Sequence, residues 1–275
     1  IANLVSPFVG RYLSYKYFYD SEFLLNIKNQ IITDSEKKDT FNTIWYNSKK
    51  IGINLVGTYC INKFGMFLAG LYLTLEQVAS YGLMTQLGTI VITLSTTMLY
   101  TNEPKLASLI VEDSKDTLLK EYSFLMSSFH ILAIIGSLVF IVLGPWGIEL
   151  IHSKTTLPNS TIVGLYMLVM ILEQNHSASA VLITLFNEVP FIKSSLVSAA
   201  MIVLTSWALL NYTNLGILGL VVAQGACQLA YNNWQWPIAA YRLIGSNPIK
   251  GEFIGLCEVK NKISKLINSY YGNKS

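Results

Sequence analysis

The chain has 275 residues, of which 52% are hydrophobic and only 13% charged, with a net charge of +3 and a mean hydropathy of +0.45. A soluble domain carries about 25% charged residues to wet its surface, so this composition excludes a water-soluble fold of this length. The apolar residues come in runs, and a bilayer core asks for roughly 20 of them per helical span.

Residues 1–10 read as the tail of a helix whose beginning is missing. Arg11 and Lys16 follow this apolar stretch instead of preceding it, so it is not a signal peptide. With Ile1 in first place, the expectation is a fragment whose true start lies upstream. The stretch Lys28–Lys50 mixes Lys37, Lys38, Lys49 and Lys50 with Asp34, Glu36 and Asp39 and reads as a connecting loop with some amphipathic helix. Six candidate spans follow: Ile51–Leu73, Val78–Tyr100, Phe124–Leu143, Ile162–Phe186, Leu196–Tyr212 and Leu215–Tyr231. Trp234 and Trp236 after the last fit an interfacial aromatic belt, and residues 246–275 form a basic C-terminal tail. A membrane β-barrel would show segments of about ten residues alternating apolar and polar. These runs are longer and do not alternate. Helices also satisfy their own amides in lipid, so the fold class is all-α, a polytopic transmembrane helix bundle.

If the Lys28–Lys50 segment faces the cytoplasm, every lysine and arginine except Lys63 and Lys154 falls on the same side. That is the positive-inside asymmetry. It places both ends of the six-span block, and the C-terminus, in the cytoplasm.

Four spans carry polar stripes at steps of three or four, which share one helix face. They are Asn54, Thr58, Asn62, Gly65 and Ala69 in the first, and Ala79, Gly82, Gln86, Thr89, Thr93, Thr97 and Tyr100 in the second. The fourth has Tyr166, Glu173, His176, Ser177, Ala180, Thr184 and Asn187, and the sixth has Gln224, Gln228, Tyr231 and Gln235. Each stripe alone suits helix packing, where small residues admit close approach and polar ones bond across. Four together point to a shared polar cavity.

Lys63, Glu173 and His176 lie within spans, where a charge costs on the order of 3 kcal/mol. Glu173 and His176 stand three apart, so they either relay a proton or satisfy each other as a structural pair. Lys63 lies opposite the Asn54–Asn62 stripe, which leaves two readings: a helix with a cavity on one side and a partner on the other, or a lysine snorkelling to the interface. Cys60, Cys227 and Cys257 are too scattered for a metal or redox site. No nucleophile elbow, Walker loop, zinc-helix motif or cofactor fingerprint is present, so the chain does not read as an enzyme. The lysines at 260–265 are positive-inside charge, with no nucleic-acid partner.

Several strings, taken in order, resemble O-antigen flippases. They are Trp45-Tyr46-Asn47-Ser48, Ala79-Ser80-Tyr81-Gly82-Leu83, Glu173-Gln174-Asn175-His176-Ser177, Asn187-Glu188-Val189-Pro190-Phe191 and the closing run from Gln228 to Pro237. Asn3-Leu4-Val5-Ser6-Pro7 through Tyr17-Phe18 resembles the end of that family's sixth helix, so the likeness covers about residues 1–245. The family belongs to the multidrug, oligosaccharidyl-lipid and polysaccharide exporter superfamily, whose fold is two six-helix lobes facing a central cavity. The resemblance implies that this chain is the C-terminal lobe, in a bacterial inner membrane, with an N-terminal lobe as its missing partner. It implies a lipid-linked oligosaccharide as substrate for polysaccharide biosynthesis, moved across the membrane by alternating access, with protons or sodium as coupling ion. Sugar hydroxyls would meet Gln86, Thr93, Gln224 and Gln228, while Lys63 or protonated His176 would meet the diphosphate. A drug/cation antiporter of the same superfamily and a non-transporting scaffold are the rival readings.

Overall fold

The computed structural model describes residues 2–18 and 33–272. Among them are ten helices and no strand: α1 (Ala2–Phe18), α2 (Asp34–Tyr72), α3 (Leu75–Thr101), α4 (Glu103–Val111), α5 (Lys115–Leu150), α6 (Ser160–Leu185), α7 (Ile192–Tyr212), α8 (Ile217–Leu229), α9 (Asn232–Leu243) and α10 (Pro248–Gly272). The chain divides into two compact units, Ile1–Lys49 and Lys50–Ser275.

In the first unit, α2 begins well inside the segment expected to be a loop. Thr33 and Glu36 start it with reciprocal bonds: Glu36 N–H donates to Thr33 Oγ1 at 3.4 Å, and Thr33 N–H donates to Glu36 Oε2 at 2.8 Å. This capping box satisfies amides that the first turn leaves open. The Thr33 hydroxyl also donates to Glu36 Oε2 at 2.7 Å, and this bond, followed by that of the Thr33 amide, holds the Glu36 carboxyl below its ordinary value. Residues 28–32 of the expected loop lie outside the described residues, as does Lys274.

The second unit is the bundle. Its helix ends are legible in local chemistry. Thr74 and Gln77 form a second capping box that opens α3 directly after α2, and Asn159 Oδ1 accepts from Ile162 N–H at 2.9 Å to open α6. Four helices stop on the same device. Asp113, His152, Asn187 and Gly245 adopt positive φ just past α4, α5, α6 and α9. In each case the next amide reaches back to a carbonyl of the last turn, as Glu188 N–H does to Ile183 at 3.4 Å. That 6→1 bond is the Schellman termination.

Four runs are long and apolar enough to cross a membrane: Leu75–Val111, Lys115–Leu150, Ser160–Leu185 and Ile192–Tyr212. They contain the second, third and fifth expected spans and all of the fourth except Phe186. The expected first span is the C-terminal part of the 39-residue α2, which carries a dense charge run in its N-terminal half. The expected sixth is split: α8 has 13 residues and α9 has 12. Neither piece alone reaches the length a bilayer requires. The chain is a membrane-embedded helical bundle. Its outward faces agree with this, since Leu132, Ile135, Leu138, Val139, Val142 and Leu143 of α5 are all exposed.

Glycines let the helices close on one another. The Cα of Gly88 sits beneath Tyr166 and Met167 of α6, that of Gly136 beneath Val91 of α3, and that of Gly225 beneath Val169. Such small-residue contacts are the normal currency of helix association in lipid.

The segment expected to be a basic tail is the 25-residue helix α10, laid along the N-terminal half of α5. A Cβ at Gly255 would overlap the Ser123 carbonyl oxygen and Ser127 Oγ, and one at Gly251 would overlap the Tyr241 ring. Glu121 of α5 joins Lys105 of α4 at 2.8 Å and Lys262 of α10 at 3.3 Å. The Lys262 ammonium also lies 3.4 Å from the centroid of Phe124, a cation–π geometry. Glu252 meets His130 Nδ1 at 2.9 Å. Burial alone would raise the Glu252 carboxyl, but the bond and charge of His130 and the bond from Ser127 outweigh it and hold the group below its ordinary value.

Two outcomes follow for this docking. Gly255→Val costs about 1–3 kcal/mol through overpacking, read as a fall of several degrees in Tm together with faster protease cleavage within residues 248–272. A depressed carboxylate stabilises the folded state at neutral pH and loses that contribution as pH falls through its folded value. Hydrogen-exchange protection of α10 is therefore flat from pH 7 down to the ordinary carboxylate range and declines below it, and Glu252→Gln removes the decline.

Candidate functional site: a polar hub between two cavities

The middle of α6 carries Glu173, Gln174, Asn175 and His176 in succession. A helix turns about 100° per residue, so consecutive side chains cannot share a neighbour. Each meets a different helix. Gln224 Nε2 of α8 donates to Glu173 Oε2. Gln174 Nε2 donates to the Tyr100 hydroxyl of α3 at 2.6 Å. Asn175 Oδ1 lies 3.1 Å from His130 Nε2 of α5, whose other nitrogen meets Glu252 of α10. His176 Nδ1 lies 2.8 Å from Asn233 Oδ1 of α9. The expected pairing of Glu173 with His176 is replaced by these separate bonds.

Two cavities flank this hub. The larger, about 1160 Å³, opens along α3. Gly82, Gln86, Thr89, Thr93, Thr97 and Tyr100 line it, so the expected α3 stripe faces a space, with Ala79 outside. Lys63 and Met66 of α2, Tyr166 and Gln174 of α6, and Gln224 of α8 complete the wall. The smaller, about 500 Å³, lies among α2, α6, α7 and the α8–α9 break. Asn54 and Thr58 line it from α2, with Glu173, His176, Ser177 and Thr184 from α6, Ser194 and Ser195 from α7, and Gln228, Asn232 and Trp236 at the break.

The seven site residues expected from sequence therefore divide. Lys63, Gln86, Thr93 and Gln224 share the larger cavity, and Glu173, His176 and Gln228 share the smaller. The bond between Gln224 and Glu173 spans the wall between the two sets, and Tyr100 borders both spaces. On α2, Asn54 and Thr58 line the smaller cavity, and the exposed Lys63 lines the larger. Gly65 and Ala69 of the same stripe are packing positions, Gly65 beneath the Tyr81 hydroxyl and Ala69 fully buried. The side chain of Asn62 lies outside the described residues.

Sequence reasoning missed what happens at the break. Trp236, read as interfacial, is only 6% exposed. Its indole Nε1 donates to Asn232 Oδ1 at 2.9 Å. Indole N–H can only donate, so the orientation of the Asn232 amide is settled. Its Nδ2 then donates to Ser198 Oγ at 2.8 Å and to Gln228 Oε1 at 2.7 Å. Gln228 Nε2 is left buried without a partner, and so is Asn233 Nδ2. Each such orphan costs about 1–3 kcal/mol. The α8–α9 break supplies the polar residues for this cluster, and Pro237 in α9 removes the amide that would bond the Asn233 carbonyl.

Glu173 is 7% exposed, and no lysine or arginine among the described residues pairs with it. A buried carboxyl held only by an amide can take up a proton or a small cation.

In a chain with Cys60, Cys227 and Cys257 replaced by serine, single cysteines distinguish a wet cavity from dry helix contact. Gln86→Cys and Thr93→Cys react to completion with a water-soluble maleimide. Ser123→Cys, placed at a position 0% exposed and outside both cavities, stays protected. Protection of the Gln86→Cys and Thr93→Cys variants as well would mean that the α3 stripe is packing.

No family model, no curated protein and no solved structure matches the chain, so its own residues and cavities are the guide to its function.

Proposed function

We propose that this chain is the C-terminal lobe of a transporter that moves lipid-linked sugar units across a bacterial inner membrane. The observation that carries the reading is the larger cavity, which combines a wall of threonine and glutamine with one lysine. Gln86 and Thr93 offer donors to sugar hydroxyls, and Thr85, Thr89 and Thr97, whose own hydroxyls donate to carbonyls of α3, offer acceptors. Among the described residues Lys63 is the only lysine or arginine in that wall, and a diphosphate asks for such a charge.

A second feature supports the same reading. An apolar groove of about 580 Å³ runs between α3 and α5, lined by Leu87, Ile90, Leu94, Leu132, Val139 and Leu143. Ile90 belongs to the walls of both the groove and the larger cavity. A polyprenyl tail could lie in this groove while its head group occupies the cavity. The lobe has six spans, with α2 supplying the first and the broken α8–α9 pair the sixth. Discontinuous helices of this kind are where transporters place their binding groups. Both ends of the block lie in the cytoplasm, by the distribution of lysine and arginine. An opposing N-terminal lobe closes the pathway, and Glu173 takes up the coupling ion, a proton or sodium.

A drug/cation antiporter of the same superfamily is the second reading. The uncompensated Glu173 favours it equally, because ion coupling is common to both. Surface polysaccharide separates the two. In a host lacking its own flippase, the full-length protein restores surface O-antigen, and Lys63→Ala lowers it about tenfold, the loss of one charged hydrogen bond. Unchanged export in that variant, at equal membrane expression, removes Lys63 from the reading. Restored drug efflux without restored polysaccharide selects the antiporter.

A further inference from the structure

The smaller cavity has a chemistry of its own, which the lipid-diphosphate reading does not use. Among the described residues its ionisable wall groups are Glu103, Glu173 and His176, and no lysine or arginine lines it. An anion would face two carboxyl groups without a counter-charge. A phosphate therefore belongs to the larger cavity, where Lys63 is.

What the smaller cavity does offer is an excess of donors at the helix break. The order of bonds running from Trp236 through Asn232 to Gln228 leaves Gln228 Nε2 unpaired in a residue 1% exposed. Turning the Gln228 amide over would set its nitrogen against the Asn232 nitrogen, donor facing donor. The orphan is thus forced by the indole. Asn233 Nδ2 is a second orphan, but it lies behind His176 and is not among the residues that line the cavity. The N-terminus of α9 adds open amides, because Tyr231 gives it no side-chain cap. A ligand that completes this set must bring oxygen acceptors and no charge. Trp236 supplies an aromatic wall, held edge-on by Phe191 at 5.9 Å and by Tyr231 at 5.8 Å. Ser177, Ser194 and Ser195 face the same space and can serve hydroxyl groups.

We propose that the smaller cavity is a separate binding site for one small neutral molecule rich in carbonyl and hydroxyl oxygens, with the Gln228 amide donating to its carbonyl. An acetamido sugar has this chemistry: an uncharged ring for the indole, a carbonyl for Gln228, hydroxyls for the serines. About 500 Å³ accommodates one ring with room to spare. As a place for the uncharged part of a transported molecule, the site rests on the transporter reading. Binding to the isolated chain does not.

The test uses the purified chain in detergent, with N-acetylglucosamine as neutral probe and glucose 1-phosphate as its anionic counterpart. Saturation-transfer NMR and equilibrium dialysis are expected to show saturable millimolar binding of the neutral probe and none of the anionic one. Gln228→Met keeps the shape but removes the donor, and weakens binding about tenfold. Gln228→Glu keeps the oxygen that Asn232 donates to and loses the same donor, with the same effect. Lys63→Ala leaves binding unchanged. Absence of saturable binding in the unsubstituted chain overturns the proposal. So does undiminished binding by both Gln228 variants, or equal binding of the anionic probe. Hydrogen exchange of the unsubstituted chain provides a measurement independent of the variants: the probe should protect residues 228–236, and unchanged exchange there also overturns it. If export is lost in cells while binding persists, the transport reading fails and the site stands.

Discussion

Polar side chains in the middle of an apolar bundle must find partners inside it, because lipid offers none. In α6 four such residues come in sequence, and helical geometry aims them around nearly a full turn. The outcome is one helix bonded to α8, α3, α5 and α9 at a single level. Through His130 the same level reaches α10 as well. Hydrophobic burial cannot specify such an arrangement, since lipid tails solvate leucine as well as a neighbouring helix does. Directional bonds can. They set the rotation of α6, and with it which residues face each cavity.

This constraint also accounts for the wall between the cavities. It is one side-chain pair thick where Gln224 meets Glu173. Rotating α6 by a fraction of a turn would break four unlike bonds together, so intermediate positions leave several buried groups unpaired. Packed elements of this kind move between discrete arrangements and do not deform smoothly. The break at Ala230–Tyr231 follows from the same demand. An unbroken helix there would offer only side chains to the cavity. The interruption adds free backbone amides to Gln228, Asn232 and Asn233.

Much of this was legible in the chain. The second to fifth spans stand out because long apolar runs have few competing interpretations. The α3 stripe was legible too, since threonine and glutamine at helical spacing have no use on a lipid-facing surface. The break in the expected sixth span was not: a mostly apolar run from Leu215 to Tyr231 does not reveal that Tyr231 leaves helical geometry, at φ −147°. Nor did sequence separate Glu173 from His176. Spacing of three permits contact, but Gln224 and Asn233 from other helices compete for the same atoms, and only the tertiary arrangement decides. Trp236 was misread for a related reason. A tryptophan near a span end usually marks the interface, yet here a buried acceptor, Asn232 Oδ1, draws its N–H inward.

The helix α10 went unread because charge masks its periodicity. Lys260, Lys262 and Lys265 suggest a solvated tail, while the residues that dock it include two glycines, Glu252 and Lys262 itself, none of which carries a hydrophobic signal. Gly251 and Gly255 bring its backbone against Tyr241 and Ser123, and Tyr241 in turn meets Tyr122 edge-on at 5.2 Å. Glu252 then reaches His130, one bond from Asn175 of the hub. A terminal helix held by close backbone approach and a short polar chain is sensitive to the rotation of α6, whereas one held by grease alone would slide over it. The position of α10 and the division of the two cavities therefore depend on the same four residues.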